Sequence, residues 1–252
     1  MSGRGRDEWE RELLGGIAPA LVWVMTDLTG RNVLVVGATG ALGSRIARRL
    51  VDAGATVVLT GTDRARLDAL ELSGPRFVVD LADGADAVVA LASDAVGGID
   101  GVVVAAGVVA FGPASELDTA TLARLFAVNA TGPITLIASA LPLLADSAAE
   151  GRAPFVLTIS GVVAESPAAG LAAYSASKGA LAAFVRAASR EARRAGIRLI
   201  DARPGHTETG LATRAIAGTA PAFPAGLDPD AVADRMVAAI VDDEKDLPST
   251  AF

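Results

Sequence analysis

Cysteine is absent from the 252 residues, which excludes disulfides, cysteine nucleophiles and thiolate metal sites. Histidine occurs once, at His206, so a histidine-based zinc site is not expected and no metal is assigned. Long apolar runs are missing too. The nearest, Leu13 to Met25, is broken by Gly15, Gly16 and Pro19, well short of the ~20 residues that cross a bilayer. No basic stretch leads that segment, as a secretory signal requires; Asp7, Glu8, Glu10 and Glu12 precede it instead. A basic excess is lacking as well. The net charge of -7 argues against nucleic acid, whose phosphates demand a basic face. These absences lead to the expectation of a cytoplasmic protein with no nucleic-acid and no membrane partner. What remains is a chain 52% hydrophobic, with a mean hydropathy of +0.46, long enough for one large α/β core.

Tyrosine is almost as scarce as histidine. Tyr174 is the only one, and Lys178, one of two lysines, follows it by four positions. That offset sets both side chains on one helix face, a turn apart. A phenol has a reference pKa near ~10, and a neighbouring ammonium favours the phenolate. The pair reads either as an acid/base couple or as a surface pair on an amphipathic helix.

Residues 1–24 hold both tryptophans, Trp9 and Trp23. They read as an N-terminal extension, either disordered or an arm that packs on a neighbouring subunit. From Asn32 onward strand and helix alternate. Apolar runs without polar alternation at 32–36, 56–60, 77–79, 101–104, 155–159 and 198–201 suit strands covered on both faces. Helical stretches lie at 41–53, 84–96, 118–145, 173–195 and 229–242. This order predicts a doubly wound Rossmann domain over 25–252, with a parallel sheet of about seven strands and helices on both faces.

Gly37-Ala38-Thr39-Gly40-Ala41-Leu42-Gly43 joins the first strand to the first helix. There a dinucleotide pyrophosphate rests on helix N-terminal amides, and glycines let the backbone approach it. Gly37, Thr39, Gly40, Leu42 and Gly43 are the residues expected to do this. The second strand ends Thr60-Gly61-Thr62-Asp63-Arg64. Gly61 stands where an acid would select NAD, while Thr62 and Arg64 suit a 2′-phosphate. NADP is therefore favoured over NAD, although an inward Asp63 would reverse the preference. Asp80, with Leu81 beside it, is placed to accept from the adenine amino group.

These elements, in this order, resemble the short-chain dehydrogenase/reductase family from about Leu28 to Thr209. The glycine turn is followed by Ala106-Gly107, then Asn129, Ser160, Tyr174-Ser175-Ala176-Ser177-Lys178 and Pro204-Gly205. The resemblance implies an NAD(P)-dependent oxidoreductase acting between an alcohol and a carbonyl. Tyr174 would be the acid/base, and Lys178 would hold the nicotinamide ribose and favour the phenolate. Ser160 would hydrogen-bond the substrate oxygen. Asn129, expected inside a helix from Thr121 to Leu144, would hold a water that feeds the proton path. Ala106, Gly107, Pro204, Gly205, Thr207 and Thr209 would line the nicotinamide site. Packing of the long helices across a two-fold axis would give a homodimer or homotetramer.

The chain departs from the family pattern in three places. Its glycine spacing is Gly-x-x-Gly-x-x-Gly, with Ala41 where the middle glycine more often falls. Residues 104–107 read Val-Ala-Ala-Gly in place of Asn-Asn-Ala-Gly. The C-terminus lacks the usual valine–aspartate–glycine–glycine strand, so a shortened or irregular seventh strand is expected.

The substrate wall should come from 108–113, 161–170 and a lid at about 210–226, with Val109, Phe111, Val162, Val163, Leu211, Ile216 and Phe223. Few charges accompany them, namely Glu165, Glu208 and Arg214. Such a wall favours a small apolar ketone or secondary alcohol. His206 reads as a loop imidazole facing solvent. Two other classes stay open: a nucleotide-binding regulatory or scaffold protein of the same fold without turnover, and a lyase or epimerase with transient hydride transfer.

Overall fold

The computed structural model describes residues 25–252; the reading of residues 1–24 lies outside them. Val33 and Val35 point to one side of the first strand, Leu34 and Val36 to the other, and all four are buried. Both faces must therefore be covered. Helices cover each of them.

Among the described residues six parallel strands form the sheet: β1 Asn32–Val36, β2 Thr56–Gly61, β3 Arg76–Val78, β4 Gly101–Val104, β5 Phe155–Ile159 and β6 Arg198–Ala202. Their order is β3-β2-β1-β4-β5-β6, the doubly wound arrangement that alternating strands and helices predict. The expected seventh strand is a single parallel bridge from Leu247 to Ala202. Leu247 is fully buried, yet Pro248 follows it without an N–H to extend the ladder.

One apolar cluster joins Val33, Val35, Leu59 and Ile200 to Ile46 and Leu50 of α1 (Ala41–Asp52) and to Met236 and Ile240. The second joins Leu34, Val36, Val104 and Val156 to Val88, Leu136, Ile137, Leu144, Leu181 and Val185. Each fully buried aliphatic side chain contributes about 2 kcal/mol relative to exposure.

Asp63 caps the short α2 (Arg64–Asp68), and Asp80 caps α3 (Leu81–Gly84). Asp86 caps α4 (Ala87–Val96), which ends on left-handed Gly97. Asp118 caps α5 (Thr119–Phe126). A π-helical turn, Ala127–Thr131, follows, and Gly132 N donates to Ala127 O five residues back. The helix resumes as α6 (Gly132–Ala149). The run Thr119–Ala149 is apolar and long enough to span a bilayer by composition, but Leu136, Ile137, Ala140 and Leu144 are fully buried against the sheet. Beyond it lie α7 (Ala172–Ala192) and α8 (Pro229–Val241), the latter capped by Asp228 with proline in its first turn.

Candidate active site

At the carboxyl edge of the sheet β1 leads to β2 on one side, while β4 and β5 continue on the other. Such a divergence leaves a crevice. Here it holds a cavity of about 570 Å³.

Its first half is made largely of backbone. Gly37 has φ +81, and a Cβ there would lie 2.6 Å from Ala106 N. The ends of β1 and β4 thus touch main chain to main chain, as only glycine permits. Gly40 begins α1 with no side-chain cap and no acid in the first turn, so the helix N-terminal amides have no anionic competitor. Gly37, Thr39, Gly40 and Leu42 line the cavity. Gly43 stands behind them. A Cβ there would sit 2.1 Å from Gly37 O, so this glycine serves helix–turn packing.

Gly61 and Thr62 continue the wall. A side chain at Gly61 would strike Thr39, whose Oγ1 is 2.8 Å from the ideal Cβ. Arg64 lies outside the cavity, contrary to expectation: it opens α2 and its Nε pairs with Asp68 at 2.9 Å. Arg66 lines the cavity in its place and donates from Nη2 to Thr39 O at 2.6 Å. Reading Asp63 as a helix cap would have revealed this, because Asp63 accepts the Arg66 N–H at 3.0 Å. The same bond turns Asp63 toward its own helix.

Asp80 and Leu81 line the adenine end. Asp80 accepts from Ala82 N at 3.0 Å and from Arg124 Nη2 at 2.7 Å. Burial raises its pKa, but Arg124 and the Ala82 N–H outweigh burial and hold the carboxyl below its ordinary range. Arg124, which also lines the cavity, carries no motif that sequence reading could find.

The second half is made of side chains. Tyr174 and Lys178 on α7 both line the cavity, with Ala106, Gly107, Pro204, Gly205, Thr207 and Thr209. Among the described residues the Tyr174 hydroxyl has no hydrogen-bond partner, and burial pushes its pKa up to about 12. Burial pushes Lys178 down to about 8, opposed by the charge of Asp201. The expected lowering of the phenol by Lys178 is therefore not found in the protein alone; desolvation prevails. Lys178 Nζ donates to Ile159 O at 2.8 Å.

Asn129 is fully buried in the π-helical turn rather than in a regular helix, and it lies outside the cavity wall. Its Nδ2 donates to Val108 O at 2.8 Å and to Ser177 Oγ at 3.1 Å. Its Oδ1 accepts from Val108 N at 2.9 Å. The amide thereby fixes the segment after β4.

Ser160 also differs from expectation. Although the residue borders the cavity, its side chain is fully buried and donates from Oγ to Asp201 Oδ2 at 2.6 Å. Among the described residues the hydroxyl's one proton thus goes to β6.

Val109, Phe111, Val162, Val163, Leu211, Arg214 and Phe223 line the remaining wall; Ile216, Glu165 and Glu208 do not. Glu165 is held by Arg203, and Glu208 accepts from Gly226 N at 2.8 Å. His206 is exposed but belongs to the wall, its ring stacked on Phe223 with centroids 4.6 Å apart.

A model of the short chain dehydrogenase family matches residues 31–219. The cyclic-di-GMP-binding biofilm dispersal mediator protein of Escherichia coli (strain K12) is 34% identical over 188 residues, 73% of this chain and 76% of that protein. The L-fucose dehydrogenase of Mus musculus is 34% identical over 196 residues, covering 74% and 69%. The crystal structure of a 3-ketoacyl-(acyl-carrier-protein) reductase from Brucella melitensis, complexed with NADH, superimposes with a TM-score of 0.78 at 23% identity, over 89% of this chain and 99% of that one. The glycine turn at the switch of a parallel sheet, the Tyr174/Lys178 pair across the same cavity and the match over 31–219 agree: the chain belongs to the short-chain dehydrogenase family and is an oxidoreductase with an NAD(P)-binding fold.

Proposed function

We propose that the chain transfers a hydride between NADP, or less favourably NAD, and a small apolar ketone or secondary alcohol, with Tyr174 as the acid/base. The supporting observation is the Tyr174 hydroxyl: unpartnered among the described residues, it lines the same cavity as the glycine turn. A dinucleotide suits the residues present, because the uncapped N-terminus of α1 and the close-packed Gly37 leave a backbone cradle where a Cβ would intrude. When bound, the nicotinamide supplies the hydride acceptor or donor.

The chain's own residues do the rest. Thr39, Thr62 and Arg66 suit a 2′-phosphate, and Asp80 with Arg124 suits the adenine end. Lys178 suits the ribose hydroxyls, and its charge favours the phenolate when Tyr174 gives up its proton. With burial holding the phenol protonated, Tyr174 at neutral pH is ready to give a proton to a carbonyl oxygen. Asn129 keeps Val108 in place. Val109, Phe111, Val162, Leu211 and Phe223 make the substrate wall apolar, which favours a ketone over a sugar of the kind named for the mouse relative. In the same reading 210–226 is a lid and the protein a cytoplasmic homodimer or homotetramer.

The test follows the absorbance of reduced nicotinamide with NADPH and NADH against apolar ketones and sugars. Tyr174→Phe should lose about 10³-fold in kcat and still bind the dinucleotide. Reduction should be flat through neutral pH and decline above about pH 8, where Lys178 loses its charge. Turnover of sugars with none of ketones would overturn the substrate class. Dinucleotide binding without turnover of any substrate would point to a regulatory protein.

A further inference from the structure

Asp201 is a buried carboxylate on β6, 4% exposed, with no part in the roles above. Its Oδ2 accepts from Ser160 Oγ at 2.6 Å and from Arg203 Nη1 at 3.1 Å, and its Oδ1 accepts from Thr158 Oγ1 at 2.8 Å. The next residue after Ser160, Gly161, has φ 77 and ψ 165, a conformation almost confined to glycine. The strand end therefore keeps its hydroxyl turned into the sheet and offers no side chain one position later.

Lys178 approaches the same strand end, bonding the carbonyl of Ile159 just before Ser160. It is 6% exposed, and among the described residues no carboxylate touches it. A buried ammonium without a compensating anion tends to lose its proton. Asp201 is the carboxylate whose field acts on it. Arg203 does not cancel that field, because the same guanidinium also pairs with Glu165 and Asp246. One cation faces three carboxylates. On the other sides of Lys178 stand Tyr174, one turn earlier on α7, and Asn129, whose Oδ1 lies, like Lys178 Nζ, beside Gly107; both are uncharged at neutral pH.

We propose that Asp201 is a positioning residue of this site: it withdraws the Ser160 hydroxyl from the substrate and keeps the Lys178 ammonium charged. The proposal rests on the reading of Tyr174 and Lys178 as the working pair. It gives Ser160 a partner in β6 rather than in the substrate.

The chain has two lysines, Lys178 and Lys245, and Lys245 is exposed. Carbon-13 labelling of lysine in the full chain therefore yields two signals, and Lys245→Arg identifies the one from Lys178. Asp201→Asn keeps the shape and removes the charge. It should lower the Lys178 midpoint by about one pH unit, the size of effect a single buried neighbour exerts. Arg203→Gln should move it upward, by leaving the carboxylates uncompensated. If both variants titrate as the wild type does, the proposal is overturned; should one fail to fold, the other decides by the sign of its shift.

Kinetics with NADPH and an apolar ketone form the second arm. Asp201→Asn should bring the alkaline fall in kcat to lower pH with KM little changed. Ser160→Ala should lose less than about tenfold in kcat, whereas removing a direct donor to the substrate oxygen costs about 10²–10³-fold; a loss of that larger size overturns the assignment of Ser160. Wild-type protein with shifted lysine signals but no turnover would sink the oxidoreductase reading alone and leave Asp201 as the anion that holds Lys178.

Discussion

Two buried aspartates sit at opposite edges of the sheet with nearly the same surroundings. Asp100, just before β4, accepts from Ser147 Oγ at 2.7 Å, Arg152 Nη1 at 2.9 Å and Asn32 N at 2.8 Å. Asp201 accepts from Ser160, Thr158 and Arg203. Each is 4% exposed. Both satisfy the requirement that a buried carboxylate be fully hydrogen-bonded. The difference is location. Asp100 ties α6 and the loop before β5 to the amino edge, where there is only structure to hold. Asp201 lies at the carboxyl edge, where its field reaches a lysine in the cavity wall. Similar local chemistry thus does different work according to which end of the strand carries it.

The largest effect that would sharpen this contrast is on stability. Asp100→Ala leaves Ser147 and Asn32 N without their acceptor, while Arg152 keeps Glu150 at 3.2 Å, and should cost about 3 kcal/mol. Denaturant unfolding measures it, and the pH profile of kcat for the protein that remains folded should match wild type. A shifted profile would break the comparison. Asn129→Ala comes next. It unpairs both backbone groups of Val108 and should cost about 2 kcal/mol, with a fall in kcat because the segment after β4 loosens. Arg66→Ala should weaken NADPH binding about tenfold, or about 1.4 kcal/mol, and leave NADH unchanged in a fluorescence titration. Arg64→Ala is the smallest. Its exposed pair with Asp68 is worth under about 0.5 kcal/mol, so neither stability nor either dinucleotide's affinity should change measurably.

Arg64 and Arg66 also show where sequence reading succeeds and where it stops. The glycine turn was legible because its chemistry is backbone chemistry: Gly37, Gly40 and Gly43 occur where close approach excludes a Cβ. The strands β1, β4 and β5 were legible to the residue, since runs such as Phe155–Ile159 must be covered on both faces. Side-chain direction at a strand or helix end was not. Whether Arg64 or Arg66 faces the cleft depends on where α2 begins, and that turns on one cap by Asp63. Whether Ser160 faces substrate or sheet depends on Asp201, 41 residues away in sequence, a partner no local spacing reveals. Likewise the seventh strand was foreseen as irregular, but its reduction to one bridge follows from how Leu247 and Pro248 meet β6.

The five-residue turn that carries Asn129 has a bearing on how this chain can vary. A regular α-helix advances about 100° per residue, so a wide turn at Ala127–Thr131 acts as one extra residue threaded between two helices. Deleting a single position there would restore ideal geometry to the helix and leave the later side chains of α6 on their present face, at the cost of the Asn129 clamp on Val108. A single deletion in the regular helix on either side would instead turn every later side chain by about 100°, so a library of single-residue deletions scanned for folded protein should display 127–131 as a tolerant window in an intolerant helix.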